Sequence, residues 1–257
     1  MTVSEELAEE RIERFERSMT RSKWKLENQD LSQESVSRVH NSIGRDEEKI
    51  GLYRLLLGDV AAATEHLEEA TRRYALKYEH KRTYEAEEND QATWQTQRSI
   101  LERLTYAALL SRNDASVEEA AAKVDDLDAY RRQFPRMVHK YHFTTALARV
   151  AADADDQRER VDAFGDSLAD VKPDHQPYFG NLATILDGIV SGDEATVRDG
   201  LEAYLDDYDE DRNDDPESLS DRVSKRATAL YLLAKRRGVD VEIESRYIPD
   251  CLRSVGQ

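Results

Sequence analysis

The side chains best suited to chemistry here are six histidines, His40, His66, His80, His139, His142 and His175, a single Cys251, and 54 carboxylates. His139 and His142 stand three residues apart, which places both on one helical face and makes them the nearest approach to a paired metal-ligand set. A di-iron helix needs Glu three residues before His, and a zinc-protease helix needs His-Glu-x-x-His; neither spacing occurs. Arg136 precedes His142 in an Arg-x5-His register, and Arg132 precedes His139 one residue further out, a pattern usable in RNA cleavage. With 27 arginines and six histidines such spacings arise by chance, so the register does not select a ribonuclease site. No P-loop, dinucleotide-binding glycine turn or Gly-x-Ser-x-Gly elbow is present. Asp125-Asp126-Asp128 and Asp153-Asp155-Asp156 fall at expected helix ends, where capping accounts for them, and neither carries the Gly and terminal Glu of a calcium loop. The expectation is a protein that is not an enzyme, with no catalytic centre, no cofactor and no metal.

Charge is the remaining signal. The net charge is −17, which repels nucleic acid and anionic membranes, because both are bound by clustered Lys and Arg, and attracts a basic partner. The densest cluster is Asp206, Asp207, Asp209, Glu210 and Asp211, in a stretch expected to be an acidic loop reaching Asp215. Two readings stand: a docking patch for a basic protein, or a solvated connection. Abundant Asp and Glu beside 27 Arg and only ten Lys also match the composition of proteins from salt-loving organisms, where acidity maintains solubility. One cysteine makes no internal disulfide and fits a reducing compartment. No apolar run is long enough to span a bilayer and the Glu-rich start lacks a signal-peptide pattern, so a cytoplasmic location is expected.

The elements that would position these residues read as helices. Ten Gly and five Pro in 257 residues leave few breaks, and the apolar positions recur at steps of three and four. Ala8, Ile12, Phe15 and Met19 mark a first helix; a second is expected from Ser32 to Ile43, and a third, capped by Asp46, runs to Gly58. Asp59 opens a long helix through Tyr74 and Tyr78, and another carries Leu101 and Leu104 to Arg112. Ser116 is expected to cap a helix through Val117, Val124 and Leu127; Pro135 starts one through Tyr141 and Val150; Val161, Phe164 and Leu168 mark the next. Tyr178, Leu182, Ile185 and Ile189 form a helix ending at Gly192, and Asp193 caps its partner through Val197, Leu201 and Tyr204. Gly58-Asp59 and Gly192-Asp193 echo each other, each followed by Leu-Glu at the same offset (Leu67-Glu68, Leu201-Glu202). Asp215 and Pro216 are expected to start the last long helix, with Leu219, Val223, Ala227, Leu230 and Ala234 as its stripe and Gly238 as its stop. Val239, Val241 and Ile243 then alternate in an extended tail. The expected fold is one all-α domain over 1–257, built of irregular antiparallel helical hairpins with tetratricopeptide-like packing and a possible subdomain joint near 134–136.

The last third of the chain resembles the immunity protein 49 family of polymorphic toxin systems. The resemblance lies in an order of features: a helix ending in Ser191-Gly192-Asp193, a helix carrying Leu201, the acidic stretch, Ala229-Leu230-Tyr231-Leu232-Leu233-Ala234-Lys235-Arg236-Arg237-Gly238-Val239, and Tyr247-Ile248-Pro249-Asp250-Cys251-Leu252. It implies an all-helical, non-catalytic protein that binds and neutralises a cognate protein toxin by occluding it. The acidic cluster adds that the toxin would be basic, as a nuclease domain is. The alternatives are a helical-repeat scaffold for protein interactions and, behind it, a helical ribonuclease using the Arg-x5-His pair.

Overall fold

The computed structural model describes the backbone of residues 4–85, 91–127, 137–212, 215 and 218–253, and side chains over the same spans except 81–85 and 91–96. Eleven α-helices are found among the described residues, and no strand. In chain order they are α1 (Glu5–Asn28), α2 (Gln33–Leu56), α3 (Val60–Glu85), α4 (Gln91–Ser111), α5 (Asp114–Ala122), α6 (Val138–Ala151), α7 (Gln157–Asp166), α8 (Gln176–Ser191), α9 (Glu194–Glu210), α10 (Lys225–Arg236) and α11 (Asp250–Arg253). Sequential helices pack as hairpins, most extensively α2 on α3, α3 on α4 and α8 on α9, while α4 also receives α6 and α10. The all-α, hairpin-built architecture expected from periodicity is therefore the one observed.

The two echoing turns have the same construction. Gly58 and Gly192 both take left-handed backbone conformations, φ +81° and +71°, which glycine adopts without a Cβ penalty. Asp59 then accepts from the Ala62 N–H at 3.1 Å, and Asp193 from those of Ala195 and Thr196 at 3.0 and 3.2 Å, satisfying donors that the first helical turn leaves open. Leu67 and Leu201, at equal offsets, are both fully buried.

Four expected boundaries are corrected. The chain does not break at Gly44: α2 runs unbroken from Gln33 to Leu56, and Asp46 lies buried in its interior instead of capping a new helix. Gly44 is there for close approach, since a Cβ would sit 3.1 Å from the Tyr74 ring. The cap of α5 is Asn113, which accepts from the Ser116 N–H at 3.0 Å; Ser116 is inside the helix, and Val124 and Leu127 belong to a separate 3-10 turn. The last long helix starts at Lys225, capped by Ser224, with Leu219 in a preceding 3-10 turn. Ser224 also donates its backbone N–H to the Tyr247 carbonyl at 2.9 Å, so a tertiary bond to the tail fixes that start. Finally, Asp206 to Glu210 form the closing turns of α9 and only Asp211 leaves the helix. Arg132, Pro135, Arg136, Asn213, Asp214 and Pro216, and the 134–136 joint, lie outside the described residues.

The main apolar cluster draws on every helix from α2 to α11. Val239, Val241 and Ile243 of the tail point into it while Asp240, Glu242 and Glu244 do not, the alternation that an extended segment imposes. Two smaller clusters flank it, one around Tyr74, Tyr78, Leu104 and Tyr141, the other joining α1 to α2 through Ile12, Ile43 and Ile50. No described helix is long and apolar enough to cross a membrane.

Candidate functional site

The middle of α4 anchors a cleft of about 1240 Å³. Arg98, Glu102 and Tyr106 recur every four residues and so share one face of α4. Opposite them, α6 contributes His139, Lys140 and Phe143, α8 contributes Tyr178 and Phe179, and α9 contributes Tyr204 and Tyr208. Lys225 and Arg226 enter from the first turn of α10, whose position the Ser224 cap sets. Lys172 and His175 arrive on the 3-10 turn before α8.

Electrostatics at the base is organised by Glu102. Arg98 Nη1 donates to its Oε2 at 2.6 Å and Arg226 Nη2 to its Oε1 at 2.5 Å. Burial alone would push this carboxyl up; the charges and hydrogen bonds of Arg226 and Arg98 overcome that and hold it below the usual carboxylate range. Arg226 further donates through Nε to the Tyr106 hydroxyl at 2.7 Å and lies within 5.3 to 5.6 Å of the ring centres of Tyr178, Tyr106 and Phe143. Burial also raises the Tyr106 hydroxyl well above its ordinary value, so it stays protonated.

Six cations (Arg98, Arg103, Lys140, Lys172, Lys225, Arg226) line the cleft against two carboxylates, Glu102 and Asp170. Lys225 is paired with Glu48 at 2.9 Å, whereas Lys140 and Lys172 make no ion pair among the described residues. The Lys140 ammonium is held less firmly protonated than usual, first by burial and then by the Arg98 charge.

The sequence-derived candidates divide around this cleft. His139 lines it, packed edge-on to Phe179 at 4.7 Å and held neutral to lower pH by burial and by the Lys140 and Arg98 charges; His142 does not line it. Among the described residues no three His, Cys, Asp or Glu side chains gather as a metal-binding group. The acidic cluster lies at the C-terminal end of α9, with Asp206, Asp207, Asp209, Glu210 and Asp211 all exposed. Its members are not equivalent. Asp209 accepts from Arg246 at 2.6 Å and from the Tyr247 hydroxyl at 2.5 Å, bonds that hold its carboxyl low and tie the tail to α9. Asp207 accepts from Asn181 Nδ2 at 2.9 Å.

Rings connect the two places: Tyr178 to Tyr204 at 5.7 Å, Tyr204 to Tyr208 at 6.3 Å, and Tyr208 to Tyr247 at 5.1 Å, where the Asp209 bond begins. Apart from His139 and His175 the sequence singled out none of the lining for chemistry, because it comes from five helices and meets only in the fold. No family model, curated protein or solved structure matches the chain.

Proposed function

We propose that this protein is a non-catalytic immunity protein that acts in the cytoplasm, binding a cognate protein toxin with a basic surface and occluding its active site. The observation that carries the reading is where the acidic cluster sits. A helix C-terminus already bears partial negative charge, so carboxylates there cost local stability. Yet α9 ends in Asp206, Asp207, Asp209, Glu210 and Asp211, with no basic residue in its last turn. Asp206, Glu210 and Asp211 are exposed and have no ion pair among the described residues. Charge kept where the fold disfavours it is available to a partner, and a surface of this sign steers a basic domain into encounter. The order of features in the last third of the chain supports the same reading.

Co-expression with a toxin encoded beside this protein, scored as cell survival, tests it first. Death of cells in which the protein is folded and abundant sinks the immunity assignment and leaves an interaction scaffold. For steering, Asp206, Asp207 and Asp211 are changed to Asn and Glu210 to Gln, and Asp209 is left intact because it holds Tyr247 and Arg246. The expected result is an association rate lower by roughly tenfold at low salt, with dissociation little changed. An unchanged association rate, accompanied by lost solubility in concentrated salt, assigns the acidity to salt adaptation.

A further inference from the structure

The cleft on α4 carries a charge opposite to that of the molecule. In a chain of net charge −17 its lining gathers six cations against two carboxylates. Glu102 does not neutralise the surplus, because it is already held between Arg98 and Arg226. Neither Lys140 nor Lys172 makes an ion pair among the described residues, and Lys140 is partly buried beside the Arg98 charge. Like charges brought together and partly desolvated are unfavourable unless something anionic joins them. The walls are aromatic: Tyr178 and Phe179 are partly exposed, at 90° to each other with ring centres 5.1 Å apart. A volume of about 1240 Å³ exceeds what a single inorganic anion requires and suits a ring-bearing organic ligand.

We propose that this cleft is a binding site for a nucleoside diphosphate or a closely similar phosphorylated ring compound, with the phosphates on Lys140 and Lys172 and the ring against Tyr178 and Phe179. Lysine binds phosphate as a point charge and needs no bidentate geometry, which suits two lysines delivered by different elements, α6 and the turn before α8. Size follows from charge. A nucleic acid or an acidic protein would extend beyond the cleft onto a surface of net negative charge and be repelled, whereas a small anion meets only the local cations.

The experiment is calorimetric titration of the full chain with ADP, GDP, UDP, pyrophosphate, adenosine and hexaglutamate. At least one nucleoside diphosphate should bind ten or more times more tightly than pyrophosphate, about a tenfold margin being what stacking on aromatic walls can supply. Adenosine should bind far more weakly than ADP. Lys140→Gln and Lys172→Gln should each weaken that binding by roughly tenfold and retain the circular dichroism of the parent, since neither lysine is in an ion pair. The proposal is overturned if no nucleoside diphosphate binds at millimolar concentration, or if both lysine variants bind as the parent does. Equal affinity for pyrophosphate and every nucleotide removes the ring from the site and likewise overturns it. Hexaglutamate binding more tightly than all three nucleotides reassigns the cleft to acidic peptide.

Discussion

The hairpins α2–α3 and α8–α9 share a turn, a left-handed glycine followed by a capping aspartate, but enclose different interiors. Every buried residue of α8 and α9 is apolar, glycine or tyrosine: Leu182, Ile185, Leu186 and Ile189 face Val197, Leu201, Tyr204 and Leu205. In α2 the buried set includes His40, Asp46, Glu47 and Glu48. The partners of Glu47 and Glu48 come from three directions. Lys23 of α1 reaches Glu47 at 3.3 Å, His66 of α3 reaches its other oxygen at 2.7 Å, and Tyr74 of α3 and Lys225 of α10 both donate to Glu48. The α8–α9 hairpin is held by non-directional area, while α2–α3 adds to its own apolar contacts, Leu52 and Leu55 with Ala63 and Leu67, directional pairs whose partners lie far apart in sequence. The lesson is that a single turn grammar fixes a hairpin's geometry without fixing what holds it shut.

The contrast predicts different costs. Leu186 is fully buried, so Leu186→Ala should lower stability by about 2–5 kcal/mol through lost transfer energy and a residual cavity, independently of salt. Urea denaturation checks this; a loss below about 1 kcal/mol would mean that the α8–α9 interior is loosely packed. Glu48→Gln preserves shape and leaves Lys225 without its counter-charge. Because the Lys225 side chain keeps 26% exposure, water recovers part of the loss and the expected cost is about 1–3 kcal/mol. The companion double variant Glu48→Gln/Lys225→Met should cost less than the two single changes summed. Additive costs would deny the coupling and make the charged interior an accident of packing.

The same contrast explains what could be read from the sequence. The end of α8 and the start of α9 were legible to the residue because Gly192 and Asp193 punctuate two apolar stripes, whereas the end of α9 was expected before Asp206 and lies at Glu210. The course of α2 was not. Gly44, Asp46, Glu47 and Glu48 read as a stop and a cap, since polar residues beside glycine normally mark a turn, and nothing local announces that His66 will bond Glu47 or that Tyr74 and Lys225 will bond Glu48. The start of α10 failed for a related reason: Pro216 offered a plausible first turn, while the actual cap, Ser224, is fixed by Tyr247 of the tail. Of the candidate residues, the acidic cluster was placed correctly as exposed but wrongly as a loop. The cleft was illegible because its charges come in short groups on separate helices and meet only across the packed hairpins.

At neutral pH the smallest expected effect belongs to His40, and it sharpens the comparison because α8 and α9 contain no histidine. His40 is 7% exposed, stacks on His80 at 5.4 Å, and its Nδ1 lies 3.2 Å from Arg73 Nη1. A guanidinium can only donate, so Nδ1 must accept and the ring is neutral with its proton on Nε2. Burial first, then the Arg73 and His80 charges, lower its pKa to about 4 from an ordinary 6.5. Between those values the unfolded chain binds the proton and the folded chain does not, so stability must fall as pH drops from about 6.5 to about 4. His40→Gln removes this contribution and should flatten the thermal-midpoint profile across that window relative to the parent. Parallel profiles for parent and variant, or an imidazole resonance of His40 titrating near 6.5, would show the ring to be solvated and the polar interior of α2–α3 to be open to water.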